Sequence, residues 1–156
     1  MTVTIDDVRS LTAGLPRSYE VFVHGRVKFR VGQIVYLAFS RDGTLMGFAF
    51  PKEEREAALE TYPDKFLRPK PAEMRFHWLV VRLDAIDEDE LRELVFDAWR
   101  MVVPKKLSVL SDDDLEQRAM SASEPGREVL RGARRGARLD PRPDQVPDLQ
   151  AYSEPR

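Results

Sequence analysis

Two stretches in the first half of the chain have polar and apolar positions typical of a helix. The first stretch, residues 5–15, follows Thr4 and Asp7, which form a capping-box pair. The second stretch, residues 51–61, opens with a proline followed by acidic residues, which is typical of a helix start. These patterns predict two helices, the first of them short.

A third helical pattern is the clearest in the chain. Asp87 and Glu90 form a capping-box pair, and apolar residues follow them at spacings of three and four. The pattern predicts an amphipathic helix packed on a sheet. Pro104 should end or kink this helix, which leaves Lys105 and Lys106 at its negative pole.

Strand patterns separate these helices. Glycine-containing turns at Gly32 and Gly43 join apolar and alternating runs, as in antiparallel hairpins. The predicted strands cover residues 27–31, 34–39, 44–50 and 77–83, with a short edge segment at 19–23. The expected order is helix, three strands, helix, strand and helix. This order predicts an α+β fold in which helices gather on one face of an antiparallel sheet.

Aromatic residues mark the end of the predicted core. Of 14 Phe, Trp and Tyr residues, 13 lie before residue 111. The sequence therefore predicts a folded domain over residues 1–110 and a charged, mostly disordered tail rich in Pro and Arg over 111–156. Within the tail, Ser111 and the three aspartates after it are suited to start a short helix.

Composition excludes several classes of protein. The chain has 42% hydrophobic and 33% charged residues, a net charge of -2 and no cysteine. Disulfides, thiolate nucleophiles and cysteine-based zinc sites are thus excluded. No apolar run is long enough for a membrane span, and the N-terminus does not resemble a signal peptide. We expect a cytoplasmic protein that does not contact membranes and carries no metal or cofactor.

Four stretches of the chain resemble the MmcQ/YjbR family over about residues 3 to 110. The most telling pieces are Phe29-Arg30-Val31, the strand with Trp78, and Trp99-Arg100 followed by Pro104-Lys105-Lys106-Leu107. The resemblance implies a YjbR-like α+β domain, related in shape to secretion-chaperone-like, CyaY-like and double-wing folds. It also implies a DNA-binding label, which rests on structural analogy, and it brings no catalytic residues.

A basic strand is the first candidate for function. Arg26, Lys28 and Arg30 alternate with apolar residues, so period two places the three cations on one face of the strand. Such a row is suited to contact phosphates. The alternative is a solvated sheet face whose charges are matched across strands.

An arginine-rich segment of the tail is the second candidate. A duplicated RGAR sequence supplies Arg131, Arg134, Arg135 and Arg138. Flexible arginine-rich segments bind nucleic acids through phosphate neutralisation. The alternative is a solvated linker whose arginines pair with the acidic flanks of the tail.

Other polar residues give weaker signals. His24 and His77 are more typical of surface or core histidines than of catalytic residues or ligands. The acidic run that ends at Glu90 is better explained by helix capping than by cation binding. No catalytic motif is present in the sequence, so we expect no enzyme.

Two hypotheses about function follow from these observations. The first is non-specific DNA or other nucleic-acid binding through Arg26, Lys28 and Arg30, with help from Lys105, Lys106 and the tail arginines. The second is a protein-interaction module, in which a sheet edge or aromatic groove binds a protein partner. A small-ligand or enzyme site would instead require a cleft that brings a histidine close to carboxylates.

Overall fold

The computed structural model describes residues 2–122 of the chain. This part contains six strands: β1 (Ser18–Val23), β2 (Arg26–Val31), β3 (Ile34–Phe39), β4 (Leu45–Ala49), β5 (Phe66–Leu67) and β6 (Trp78–Arg82). It also contains five α-helices: α1 (Ile5–Thr12), α2 (Lys52–Thr61), α3 (Glu88–Arg100), α4 (Lys105–Ser108) and α5 (Asp112–Ala122). Two short 3-10 helices lie at Pro71–Glu73 and Leu83–Ala85.

All six strands form one antiparallel sheet in the order β1-β2-β3-β4-β6-β5. The predicted meander is confirmed, because β2, β3 and β4 pair in sequence. The edge segment expected at 19–23 is a six-residue strand paired along its whole length with β2. β5 lies between α2 and β6, where the sequence pattern predicted no strand.

Both predicted capping boxes are present. The Thr4 backbone N–H donates to the Asp7 carboxylate at 2.8 Å, and the Asp7 N–H donates back to Thr4 Oγ1. At α3, the Glu90 N–H donates to Asp87 Oδ1 at 2.9 Å. These bonds satisfy backbone donors that a helix start leaves without partners. Each helix therefore begins where its sequence pattern predicts.

The helices cover one face of the sheet, which we call the inner face. Its main apolar cluster includes strand residues such as Phe48 and Leu79, and all five helices contribute to this cluster or pack against it. The most deeply buried helix residues include Val95, Phe96 and Trp99 of α3. The fold is therefore α+β with the helices on one face of the sheet.

The end of α3 differs from the prediction. The helix stops at Arg100, and Pro104 is the N-cap of the separate short helix α4. Lys105 and Lys106 consequently lie at the start of α4 rather than at the C-terminal pole of α3. The three residues between Arg100 and Pro104 turn the chain before the proline.

The helix predicted from Ser111 onward is confirmed as α5, and it packs onto the domain. Leu115 is fully buried, and a Cβ placed on Gly14 would lie 2.2 Å from the backbone of Arg118, so the loop after α1 touches α5 directly. Arg92 of α3 pairs with Glu116 of α5 at 2.8 Å. Residues 112–122 thus join the folded part, which the sequence placed only up to 110.

Residues 123–156 of the predicted tail, including the RGAR duplication, lie outside the described residues. Within residues 2–122, no helix is long and apolar enough to cross a membrane.

Candidate functional site

The sheet has a second face, opposite the helices, which we call the outer face. The strand register places one residue of each strand in a row across it: Val21, Lys28, Ala38, Gly47, Val80 and Leu67. Alternation along each strand then assigns Arg26 and Arg30 to the same face as Lys28. The outer face therefore carries a cationic strand beside apolar strands.

The three cations on β2 are buried. Arg26 is 8%, Lys28 is 2% and Arg30 is 1% exposed. The predicted separation of charged and apolar residues is confirmed, because Val27, Phe29 and Val31 belong to the inner-face cluster. The solvated sheet face that the sequence left as an alternative is not found, because little of these three side chains is exposed. Period two assigns a side chain to a face of the sheet but does not determine whether water reaches that face.

The neighbouring strands place no carboxylate opposite these cations. On β1, the register partners of Arg26, Lys28 and Arg30 are Val23, Val21 and Tyr19. On β3, Lys28 lies opposite Ala38 and Arg30 lies opposite Val35, on either side of a β-bulge. The charge matching in register that the sequence left as an alternative is therefore not found. Each of the three cations nevertheless takes part in a hydrogen bond, ion pair, ring contact or electrostatic interaction.

The rest of the outer face is apolar and equally buried. A second hydrophobic cluster contains Ala38, Leu45, Trp78 and Val80, with Val35, Leu67 and Phe76 packed against it. Every member comes from a strand or from the loop before β6, so no helix of residues 2–122 contributes to this cluster. The outer face thus combines buried apolar and cationic side chains without a helical cover from the described part of the chain.

The Trp78 indole lies close to the Gly47 backbone, which is possible because Gly47 has no side chain. A Cβ at Gly47 would lie 2.6 Å from Nε1 and Cζ2 of the Trp78 indole. The indole is only 3% exposed, and its Nε1 has no hydrogen-bond partner within the described residues. Buried tryptophan N–H groups usually donate a hydrogen bond. The Trp78 N–H departs from this rule within residues 2–122.

Arg55 of α2 holds the backbone that leads into β6. Its guanidinium donates to the carbonyl oxygens of Met74 at 2.7 Å, Phe76 at 3.0 Å and Trp78 at 3.0 Å. Because Arg55 is 5% exposed, these charge-assisted bonds lie in a setting of low dielectric constant and fix the loop firmly. The sequence analysis singled out neither Arg55 nor Gly47. An isolated glycine inside a strand pattern is the signal that indicates close approach at Gly47.

The other predicted cations lie elsewhere. Lys105 and Lys106 are exposed on α4, whose Leu107 packs against the inner-face cluster, so the fold does not bring them to β2. Arg131, Arg134, Arg135 and Arg138 lie outside the described residues. The assignment of these residues to nucleic-acid binding stays a prediction.

Both histidines lie on the surface. His24 occupies the turn between β1 and β2 with a positive φ of 53°. His77 Nδ1 accepts a hydrogen bond from the Lys52 backbone N–H at 3.0 Å, so this imidazole satisfies a donor at the start of α2. A cavity of about 240 Å³ lies beside Phe48, Phe50 and Leu94, and neither histidine lines it.

A family model named YjbR matches residues 13–101 of this sequence, which is more than half of the chain. The chain belongs to the YjbR family. The match includes all six strands of the YjbR domain and therefore the whole outer face, and it ends before α4 and α5.

The structural comparison supports the same fold. The domain is similar to the crystal structure of Deinococcus radiodurans protein DR2400, which carries a DUF419 domain. The two chains are 23% identical and superpose with a TM-score of 0.58, over 79% of this YjbR-family chain and 93% of the other. No curated protein matches this chain. These comparisons establish the family and the fold.

Proposed function

We propose that this YjbR-family protein is a protein-interaction module whose outer face binds an extended, acidic segment of polypeptide. The observation that supports the proposal is the combination of three cations and an apolar cluster on a face without a helical cover from residues 2–122. A polypeptide with alternating acidic and apolar side chains matches both parts of this face. Its backbone carbonyls are also suited to accept the Trp78 N–H.

Nucleic-acid binding is the other function that the sequence suggests, and the geometry supports it less well. Phosphate contacts draw their free energy from several cations that release counterions together. Arg26, Lys28 and Arg30 lie instead among apolar side chains of the two neighbouring strands. A nucleic-acid backbone offers no apolar surface to complement Trp78 and Val80.

Fluorescence anisotropy on the full chain tests the proposal. One labelled probe is a synthetic peptide of alternating glutamate and valine, and the other is duplex DNA, each at low and near-physiological salt. We expect the peptide to bind and the Lys28→Met variant to bind it about tenfold more weakly, because one buried charge is lost. The matched control is Lys106→Met, which removes an exposed lysine on the other side of the sheet and should leave peptide binding unchanged.

Two results would overturn the proposal. If the parent and the folded Lys28→Met variant bind the peptide equally, the outer face is not the peptide-binding site. DNA binding that falls steeply with salt, decreases in Lys106→Met and persists in Lys28→Met would assign the function to nucleic acid and to exposed cations.

A further inference from the structure

We propose that the cavity between the inner face and helices α2 and α3 binds a small organic cation, made of an aromatic ring and a short aliphatic amine. The cavity has a volume of about 240 Å³ and is lined by inner-face residues such as Phe48. It therefore lies on the opposite side of the sheet from the outer face. This inference goes beyond the proposed function, and neither of the two depends on the other.

The walls of the cavity are apolar. Phe48 of β4 is 1% exposed, and its ring meets the ring of Phe50 edge to face, with the centroids 5.8 Å apart. Leu94 of α3 and Met101, which follows α3, also line the cavity. The lining thus comes from the connection between β4 and α2 and from the C-terminal half of α3.

Two exposed carboxylates, Glu54 and Asp97, also line the cavity. Asp97 pairs with Arg100 at 2.9 Å, whereas no ion pair within residues 2–122 involves Glu54. The Arg100 guanidinium also donates to Asp112 Oδ1 at 2.6 Å, so two carboxylates share its charge. No lysine, arginine or histidine of the described residues lines the cavity. The cavity therefore combines apolar walls with an excess of negative charge at its exposed side.

The size and the lining of the cavity indicate the class of ligand. An apolar cavity of about 150 Å³ accommodates benzene, so this larger cavity has room for a ring and a short chain. Phenylalanine side chains pack favourably against another aromatic ring. Met101 is 40% exposed, and its flexible thioether side chain is suited to adapt to such a ring.

The charge at the cavity favours a cationic ligand. A protonated amine at the end of the short chain complements Glu54 and Asp97, whereas a carboxylate or phosphate would be repelled. A metal ion is a poorer occupant, because apolar walls supply no ligands. Within residues 2–122, moreover, no group of three or more His, Asp or Glu side chains is suited to hold one.

Binding of phenethylamine to the full chain tests the inference, with phenethyl alcohol as a neutral probe of nearly the same shape. An NMR titration follows the methyl resonances of Leu94 and Met101, which line the cavity. We expect both probes to shift these resonances. The amine should bind about fivefold more tightly than the alcohol, because its charge meets carboxylates that are exposed to solvent.

Three variants separate the role of charge from the role of shape. Glu54→Gln removes one charge and should weaken binding of the amine about threefold without affecting the alcohol. The matched control is Glu60→Gln, which changes an exposed residue of the same helix that does not line the cavity and should affect neither probe. Leu94→Phe adds volume to the wall and should weaken binding of both probes about tenfold.

Three outcomes would overturn the inference. If the probes shift neither Leu94 nor Met101, the cavity is not their binding site. If the parent binds amine and alcohol equally, the carboxylates do not select a cation. If Glu54→Gln and Glu60→Gln weaken amine binding equally, the effect comes from the overall charge of α2 and not from the cavity. The outer-face variant Lys28→Met should leave amine binding unchanged, so that this inference and the proposed function fail independently.

Discussion

The two faces of the sheet differ in their buried side chains and in the elements that pack on them. On the inner face, apolar side chains meet five helices, and two of the buried polar groups have partners close by. Trp99 Nε1 donates to a carbonyl, and the Tyr36 hydroxyl lies 2.6 Å from Ser18 Oγ. Burial raises the pKa of Tyr36 far above its usual value, so this hydroxyl stays neutral.

On the outer face, some of the buried side chains are charged. Three cations lie beside an apolar cluster, and the Trp78 N–H has no partner within residues 2–122. A sheet face meant only for stability is better filled with apolar side chains, because buried charges lose their hydration. This contrast in composition is the reason why we propose the outer face, and not the inner face, as the binding surface.

The largest expected effect comes from disturbing the helical layer over the inner face. Gly14→Ala would place a Cβ 2.2 Å from the backbone of Arg118 in α5, and backbone cannot move aside as a side-chain tip can. We expect a loss of about 3 kcal/mol in the free energy of unfolding, together with partial detachment of α5. Urea denaturation followed by the fluorescence of the two tryptophans measures this loss.

Gly32→Ala is the matched control for that experiment. Gly32 has a positive φ of 60°, which Gly14 does not have, but a Cβ at Gly32 would meet no atom within 4 Å. Its substitution should cost about 1 kcal/mol, from backbone strain alone. Equal losses in the two variants would contradict the close packing of α5 on the loop after α1.

A smaller effect is expected on the outer face. Gly47→Ala would bring a Cβ within 2.6 Å of the Trp78 indole, which can tilt away from the strand. We expect a loss of about 1–2 kcal/mol in unfolding free energy and a large change in the Trp78 indole resonance, with Trp99 unaffected. In a double-mutant cycle with Trp78→Phe, the two costs should not add, because they concern one contact. Additive costs would show that the indole does not lie on Gly47.

The helix starts and hairpin turns were predictable, because they depend on residues that are close together in the sequence. The capping boxes at Thr4 and Asp87 follow from pairs three residues apart, and hairpin turns follow from glycines such as Gly43. The packing of α5 was not predictable in this way, because only Leu115 and Ala119 of that helix are buried. Their burial depends on Gly14, which lies about a hundred residues earlier in the chain.

The candidate site was predictable only in part. Alternation in β2 correctly placed Lys28 on the face opposite Phe29. The apolar part of the outer face was hidden, because β6 is buried on both faces and its sequence is a continuous apolar run without a period. The burial of the cations was also not predictable, because it depends on contacts between residues that are far apart in the sequence.

The smallest expected effect concerns a turn that belongs to neither face. Asp42, between β3 and β4, accepts hydrogen bonds from Thr44 Oγ1 at 2.8 Å, the Thr44 N–H at 3.1 Å and Ser40 Oγ at 2.8 Å. These bonds favour the carboxylate and hold the pKa of Asp42 below its usual value. Asp42 therefore stabilises the fold at pH values above that usual value, about 4, and the contribution is lost as the pH falls through the lowered pKa.

Asp42→Asn measures this contribution because it removes the titrating group and keeps an acceptor in the turn. We expect the difference in unfolding free energy between parent and variant to be constant near neutral pH and to shrink below about pH 4. Thr44→Val, which removes the strongest of the three donors, should move the NMR titration of the Asp42 carboxyl group back toward its usual range. The indole resonances of Trp78 and Trp99 should stay in place in both variants, because the turn stabilises a connection between strands and covers neither face. If the Asp42 carboxyl group of the parent protein titrates in its usual range, the three hydrogen bonds do not stabilise the carboxylate, and the prediction is wrong.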